Sequence, residues 1–109
     1  MKNLEKMQKE IVEIFFNYQG QGTKPWSYII ASHDLQYQIG NLTKYVLQLE
    51  NYRYRENLSD VQIKEKLADE LADILAEILF IAHELDVNIE QAWAKMLELD
   101  RKKIGDRSK

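Results

Sequence analysis

Apolar residues recur along most of the chain three and four positions apart, which is the spacing of an amphipathic helix. The first such pattern covers residues 4–15 and stops before YQGQGTKPW, where two glycines and a proline break it. The second pattern covers residues 35–49, has Ser27 or Ser32 as its N-cap, and is predicted to run to about Asn51. These patterns predict two helices joined by one main loop.

The C-terminal half of the chain shows two more helical patterns. The polar stretch RYRENLSD predicts a turn, and Ser59 followed three residues later by Gln62 has the form of a capping box. A third helix is therefore predicted over residues 60–85. After a short break at DVN, Asn88 is the expected N-cap of a fourth helix, whose apolar positions lie within residues 89–99.

The composition favours helix nearly throughout. The chain has one proline and four glycines among 109 residues, and no run alternates β-branched with polar residues. We predict a single all-α domain, residues 1–109, in which the two long central helices are antiparallel and residues 101–109 form a frayed tail. Helices of about 25 residues are nearly 40 Å long. Because such helices project beyond one small core, we expect the chain to form a homo-oligomer.

Charge and cysteine content exclude several classes of protein. The chain has no cysteine, which excludes a disulfide framework and a thiolate metal site. Its start, MKNLEKMQKE, is too highly charged for a signal peptide, and its longest nearly uncharged stretch is far shorter than the roughly 20 residues that cross a bilayer. We expect a soluble, cytoplasmic protein with no membrane partner. The net charge of −3 disfavours an extended nucleic acid as partner and favours bound cations.

A stripe of carboxylates interrupts the most apolar segment, LADELADILAEILF. At about 100° per residue, Glu70, Asp73 and Glu77 fall within about 60° of one another and border the apolar face of the predicted third helix. Like charges at this spacing repel each other, and they repel more strongly where water is excluded. Something must therefore compensate these charges, unless the stripe is simply a solvated or salt-bridged helix face.

The predicted second helix carries a matching polar stripe that includes Asp34, Gln38 and Asn41. If the two helices pack side by side, this stripe faces the carboxylates across a cleft. Such an oxygen-rich pocket suits Mg²⁺ or Mn²⁺, which prefer carboxylates and carbonyls. The alternative for Gln38 and Asn41 is a polar seam, hydrogen-bonded between the helices. The candidate metal ligands are thus Glu70, Asp73, Glu77, Gln38, Asn41 and Asp34.

Over residues 26–104 the sequence resembles the MazG-like family of all-α nucleotide pyrophosphohydrolases. DELADIL matches the family's E-x-x-D segment through Glu70 and Asp73, and YQIGNLTKYV matches the preceding helix in its apolar frame and Gly40. DVNIEQAWAKM looks like the start of the family's last helix, and Lys95 lies in a region that often helps to hold phosphates. The resemblance implies a dimer or tetramer of four-helix units that uses Mg²⁺ to split a nucleoside triphosphate into the monophosphate and pyrophosphate.

The chain departs from the family at the first acidic motif. Where the family has E-E-x-x-E, this chain has Tyr37, Gln38 and Asn41. Amide oxygens can still bind a cation but bring no charge, so Asp34 and Glu77 are candidates to replace part of the missing charge. The alternative function is that of a catalytically impaired MazG-fold oligomer that binds a nucleotide or acts as a regulator. The sequence identifies no catalytic base.

Five residues are candidates for substrate binding. Trp26 lies in the main loop and is suited either to stacking on a nucleobase or to plugging one end of the helices. Arg53 and Arg55 in YRYR are candidates for phosphate contacts or for packing in an interface. Lys95 and Lys102 share a helical face and are candidates for phosphate contacts or for simple solvation.

Overall fold

The computed structural model describes residues 2–20, 22 and 24–107. Over these residues the chain has four helices and no strand, which confirms the predicted all-α class. No helix in this part of the chain combines the length and the apolar character needed to cross a membrane. The helices are α1 (Lys2–Gly20), α2 (Tyr28–Leu49), α3 (Asp60–Glu84) and α4 (Ile89–Arg107).

Three helices begin at the caps that the sequence predicts. The Ile30 N–H donates to the Ser27 hydroxyl at 3.4 Å, and the Gln91 N–H donates to the Asn88 side chain at 3.0 Å. At Ser59 the capping box is complete, because the Gln62 N–H donates to the Ser59 hydroxyl and the Ser59 N–H donates back to the Gln62 side chain. These bonds satisfy N–H groups that have no partner within their own helix.

Left-handed residues end α2 and α3. Asn51 has a φ of 63° and Asp86 a φ of 54°, a conformation that Asn and Asp tolerate better than most residues. In each case the next N–H, of Tyr52 or Val87, donates 2.8 Å back to a carbonyl in the last turn of the helix. The two long helices therefore end where polar residues replace the apolar pattern.

Two helices extend further than the sequence predicts. The helix α1 continues to Gly20, inside the segment that we assigned to the main loop. The helix α4 continues to Arg107, so residues 101–107 are helical rather than a frayed tail, while 108 and 109 lie outside the described residues. Lys and Arg are good helix formers, and no proline interrupts this stretch, so the helix persists although its apolar pattern has faded.

The helices α2 and α3 pack along most of their length, and α1 packs on α3. Phe15 of α1 meets Phe80 of α3 edge to face with the ring centroids 4.5 Å apart, and the Gln8 amide donates 2.9 Å to the Leu79 carbonyl. Among the described residues every other pair of helices is in slight contact at most, so α4 does not close a bundle around the core that they form. The buried apolar side chains are Ala31, Ile63, Leu79, Phe80 and Ala82.

The chain exposes much more surface than a compact monomer. Its accessible surface is 8598 Å², whereas folded monomers of this length expose about 6300 Å². Its radius of gyration is 17.6 Å, against about 13 Å for a compact domain of the same length. An apolar face that is left open on the α2–α3 pair accounts for part of the excess, and it consists of Ile39, Val46, Leu71, Leu75 and Ile78.

Candidate functional site

The structure places the two polar stripes against each other. The Asp34 carboxyl of α2 is hydrogen-bonded to Glu77 of α3, and the Asn41 side chain is hydrogen-bonded to Glu70. From the first contact to the second, the residue number rises by seven on α2 and falls by seven on α3, so the two helices are antiparallel. We call this contact line the polar seam. Its residues are Asp34, Gln38, Asn41 and Tyr45 on α2 and Lys66, Glu70, Asp73 and Glu77 on α3.

Glu77 is the most strongly perturbed group of the polar seam. Its side chain lies in the core with only 4% of its surface exposed. Its pKa is raised to about 8, mainly by burial and also by the hydrogen bond and negative charge of Asp34 and by the charges of Asp73 and Glu70. Two carboxyl groups can share a hydrogen bond only when one of them carries a proton. A proton therefore compensates part of the acidic stripe in this state of the protein.

Glu70 lies two helical turns before Glu77 and is half-buried. Burial raises its pKa, the charges of Asp73 and Asp69 raise it as well, and the hydrogen bond from Asn41 acts in the opposite direction. One carboxyl oxygen of each glutamate, Oε2, is buried without a hydrogen-bond partner. A buried oxygen without a partner is costly, so both positions favour an additional proton or cation.

The two amides take part in this network. The Gln38 amide donates to the Asp34 carboxylate at 3.3 Å, one helical turn away on α2, and Asn41 bonds across to Glu70. Gln38 thus bonds within its own helix, whereas Asn41 bridges two helices. This arrangement favours a hydrogen bond between the helices, rather than a metal ligand, as the role of Asn41. The Gln38 carbonyl oxygen remains free to act as a ligand of a cation.

Beside the polar seam lies a cleft of about 370 Å³ between α1, α2 and α3, which we call the acidic cleft. The size is within the usual range for small-molecule sites. Acidic and apolar residues meet in it, so it offers both cation-binding oxygens and surfaces for a flat ring. It is lined by Ile11, Ile14, Phe15, Tyr18, Trp26, Asp34, Gln38, Asp73, Ala76 and Glu77.

Aromatic side chains form the outer wall of the acidic cleft. Trp26 packs on Phe15 with ring centroids 5.8 Å apart and planes at 43°, and Phe15 packs in turn on Phe80. Trp26 therefore packs on α1 and also lines the cleft. Ile11, Phe15 and Tyr18 were not predicted as site residues. The only signal for them in the sequence is the apolar face of α1, which does not reveal what that face covers.

The chemistry of the donors fits a hard divalent cation, but the side chains are not arranged as a finished site. Carboxylate and amide oxygens are the ligands that Mg²⁺ and Mn²⁺ prefer. In the described part of the chain, however, no three Asp, Glu or His side chains converge as metal ligands do. The polar seam thus provides charge and oxygen, and binding a cation would require its carboxylates to turn toward one point.

The four predicted basic residues lie outside the acidic cleft. Arg53 lines a separate open depression of about 720 Å³ at the α2–α3 turn, about 25 Å along α2 from Asp34. Arg55 is committed to that turn, because it donates to the Gln48 and Leu49 carbonyls and pairs with Asp60. Its hydrogen bond and charge hold the pKa of Asp60 below its ordinary value.

The other two basic candidates, Lys95 and Lys102, are exposed on α4 and do not line the cleft.

Comparison of the chain with protein-family models, with curated proteins and with solved structures finds no match.

Proposed function

We propose that the protein is a MazG-like nucleotide pyrophosphohydrolase, which hydrolyses a nucleoside triphosphate to the monophosphate and pyrophosphate with Mg²⁺ or Mn²⁺. The observation that carries this proposal is the buried Glu77 carboxyl, which is hydrogen-bonded to Asp34 beside a cleft lined by aromatic side chains. Buried carboxylates whose pKa values are strongly raised are typical of functional sites. The match of Glu70 and Asp73 to the family's E-x-x-D segment supports the same activity.

In this proposal the acids of the polar seam hold the cation. Glu70 and Asp73 are its main ligands, and Asp34 and Glu77 contribute charge, with Gln38 and Asn41 adding amide oxygens. A bound divalent cation would screen the phosphate charge and activate water at the α-phosphorus. Trp26 and Phe15 offer a flat apolar surface to the base.

The second candidate function is nucleotide binding without hydrolysis. It is favoured by the hydrogen bonds of Asn41 to Glu70 and of Gln38 to Asp34, because these amides stand where the family has acids and already have partners. A site with fewer anionic oxygens binds a hard cation more weakly. Such a protein would bind a nucleotide and release no pyrophosphate.

The proposed activity predicts two responses to a divalent cation. Pyrophosphate should be released from at least one member of a panel of nucleoside triphosphates when Mg²⁺ is present, and a chelator should stop the reaction. Mg²⁺ should also raise the melting temperature, because a ligand that binds only the folded state stabilises it. The double variant Glu70→Gln plus Asp73→Asn should lose both responses.

The matched control is Glu65→Gln plus Glu84→Gln, which removes the same charge from exposed positions of α3. This control should respond to Mg²⁺ like the parent. Nucleotide-dependent stabilisation without product would favour the binding protein over the enzyme. An unchanged Mg²⁺ response in the Glu70 and Asp73 double variant would show that the cation binds elsewhere.

We also propose that the chain works as a homodimer or homotetramer. The open apolar face of α2 and α3 and the excess accessible surface support this assembly. By helical periodicity, Ile39 and Val46 on α2 lie on the same side of the antiparallel pair as Leu71 and Ile78 on α3. That side is opposite the acidic cleft, so a second copy can cover it and leave the cleft open.

Assembly through this face predicts that Leu71→Lys dissociates the oligomer. Leu71 is 56% exposed in the single chain, so a lysine fits there without disturbing the core, but a charge would be buried on association. Val61→Lys is the control, because Val61 is 67% exposed on another side of the same helix. Light scattering at micromolar concentration should give an oligomer for the parent and the control and a monomer for Leu71→Lys. A monomeric parent would remove this assembly.

A further inference from the structure

Beyond Glu70 the charge of the side chains along the polar seam changes from negative to positive. The next residue pair in the register is Tyr45 on α2 and Lys66 on α3, and the Lys66 ammonium lies 5.9 Å from the centre of the Tyr45 ring. The Lys44 ammonium lies 5.4 Å from the same centre. Each contact is within the range of a cation–π interaction, so both ammonium groups lie within about 6 Å of the centre of one phenol ring.

One of these cations, Lys66, is aligned with the acids of the polar seam on α3. Lys66 lies four residues before Glu70 and eleven before Glu77, so all three share one face of α3. At about 1.5 Å per residue, the line from Glu77 to Lys66 is about 16 Å long. This is a length over which an extended nucleoside triphosphate can lie, with its base at Trp26 and its phosphates directed toward Lys66.

The charge of Lys44 is poorly compensated by the protein. Lys44 is 3.9 Å from a Glu56 oxygen, at the outer limit of an ion pair, and more than half of the Glu56 side chain is exposed. Exposed pairs of this kind add little stability and are easily displaced. Two ammonium groups that each lie within about 6 Å of the same ring centre repel each other, and an anion bound by both would relieve that repulsion.

We propose that Lys44 and Lys66, presented by Tyr45, form a subsite for the terminal phosphates of a polyphosphate ligand. The inference rests on the proposed function in one respect, since it takes the ligand to be the nucleotide of the acidic cleft. It replaces Lys95 and Lys102 as the phosphate-holding residues, because Lys66 is on the polar seam and those two are on α4. Lysine ammonium groups bind phosphate through charge-assisted hydrogen bonds.

The test is calorimetric binding of inorganic tripolyphosphate to the full chain, with Mg²⁺ present, beside turnover of the nucleoside triphosphates. Lys44→Met and Lys66→Met should each weaken tripolyphosphate binding severalfold, and together they should weaken it more than about tenfold. Lys44→Arg plus Lys66→Arg should restore most of the affinity. Lys103→Met is the control, because it removes the same charge from an exposed position of α4 and should leave the affinity unchanged.

In an active enzyme the double methionine variant should raise KM with little change in kcat. The possible outcomes separate the two proposals. If the parent hydrolyses nucleotides and the double variant keeps both its KM and its tripolyphosphate affinity, the subsite is wrong and the enzyme stands. If the parent binds tripolyphosphate through these lysines but releases no pyrophosphate, the subsite stands and hydrolysis does not. A parent that neither binds nor hydrolyses overturns both.

Discussion

The free energy of unfolding of the parent protein is expected to fall as the pH rises from about 5 to about 8, and Glu77→Gln is expected to remove most of that decline. The pKa of Glu77 is about 8 in the folded protein, against an ordinary value near 4.5. Between these values the unfolded chain has lost the proton that the folded chain keeps. Because the folded state binds more protons, its stability decreases with rising pH.

The size of the effect follows from the same pKa. A single group of this kind changes stability by at most about 1.4 kcal/mol for each pH unit. Glutamine resembles the protonated acid, since its amide can donate to the Asp34 carboxylate, and it never ionises. At pH 8 the variant should therefore be more stable than the parent by roughly 4 kcal/mol, while at pH 4.5 the two should be nearly equal.

Urea unfolding at several pH values and one fixed protein concentration measures this difference. Glu65→Gln is the control, because Glu65 is exposed on α3, and its profile should follow the parent. Mg²⁺ should flatten the parent profile, since a cation bound by the acids takes the place of the proton. If the parent and Glu77→Gln have parallel profiles, the Glu77 carboxyl is ionised in the folded protein and is not the buried acid described above.

The facing of the two polar stripes could be predicted because helical periodicity decides which residues share a face. Asp34, Asn41, Glu70 and Glu77 are therefore identified from the sequence as neighbours once α2 and α3 are assumed to pair. The sequence did not show that Glu77 is more deeply buried than Glu70. That difference depends on α1, whose residues Phe15 and Ile14 line the cleft beside Glu77.

The packing position of α1 could not be predicted from the sequence, because an amphipathic pattern shows which side of a helix is buried and not what covers it. The helical conformation of residues 101–107 was not predicted for a related reason. Residues 101–107 lack a continuous apolar pattern, yet their intrinsic helix propensity is sufficient to extend α4. The contact of Lys66 with Tyr45 was equally hidden, since it follows from the register of α2 against α3 rather than from either helix alone.

Placing acids at positions 38 and 41 of α2, where the MazG-like family has them, is expected to increase the stabilisation by a divalent cation. The double variant Gln38→Glu plus Asn41→Glu adds two carboxylates next to Glu70 and Glu77, the first at nearly constant volume and the second with one added methylene. Without metal these charges enter an already acidic site, so the variant should be less stable than the parent by a few kcal/mol, and by less in high salt. With Mg²⁺ or Mn²⁺ its affinity for the cation should rise at least about tenfold, because hard cations bind most strongly to anionic oxygen.

If Gln38 and Asn41 serve only as hydrogen-bonding residues and do not bind a metal, the same variant should give a different result. Asn41 donates to Glu70 in the structure, and a carboxylate at position 41 cannot donate, so Glu70 would lose its partner whether or not metal is present. Gln38→Leu plus Asn41→Leu is a matched control, because it removes the amides without adding charge and should show no gain from a cation. Melting temperatures measured against Mg²⁺ and Mn²⁺ concentration separate the two cases. A loss of stability that neither cation reverses would exclude Gln38 and Asn41 from a metal site and would favour the non-hydrolytic protein, since the acids of α3 would then have no anionic counterpart at these positions of α2.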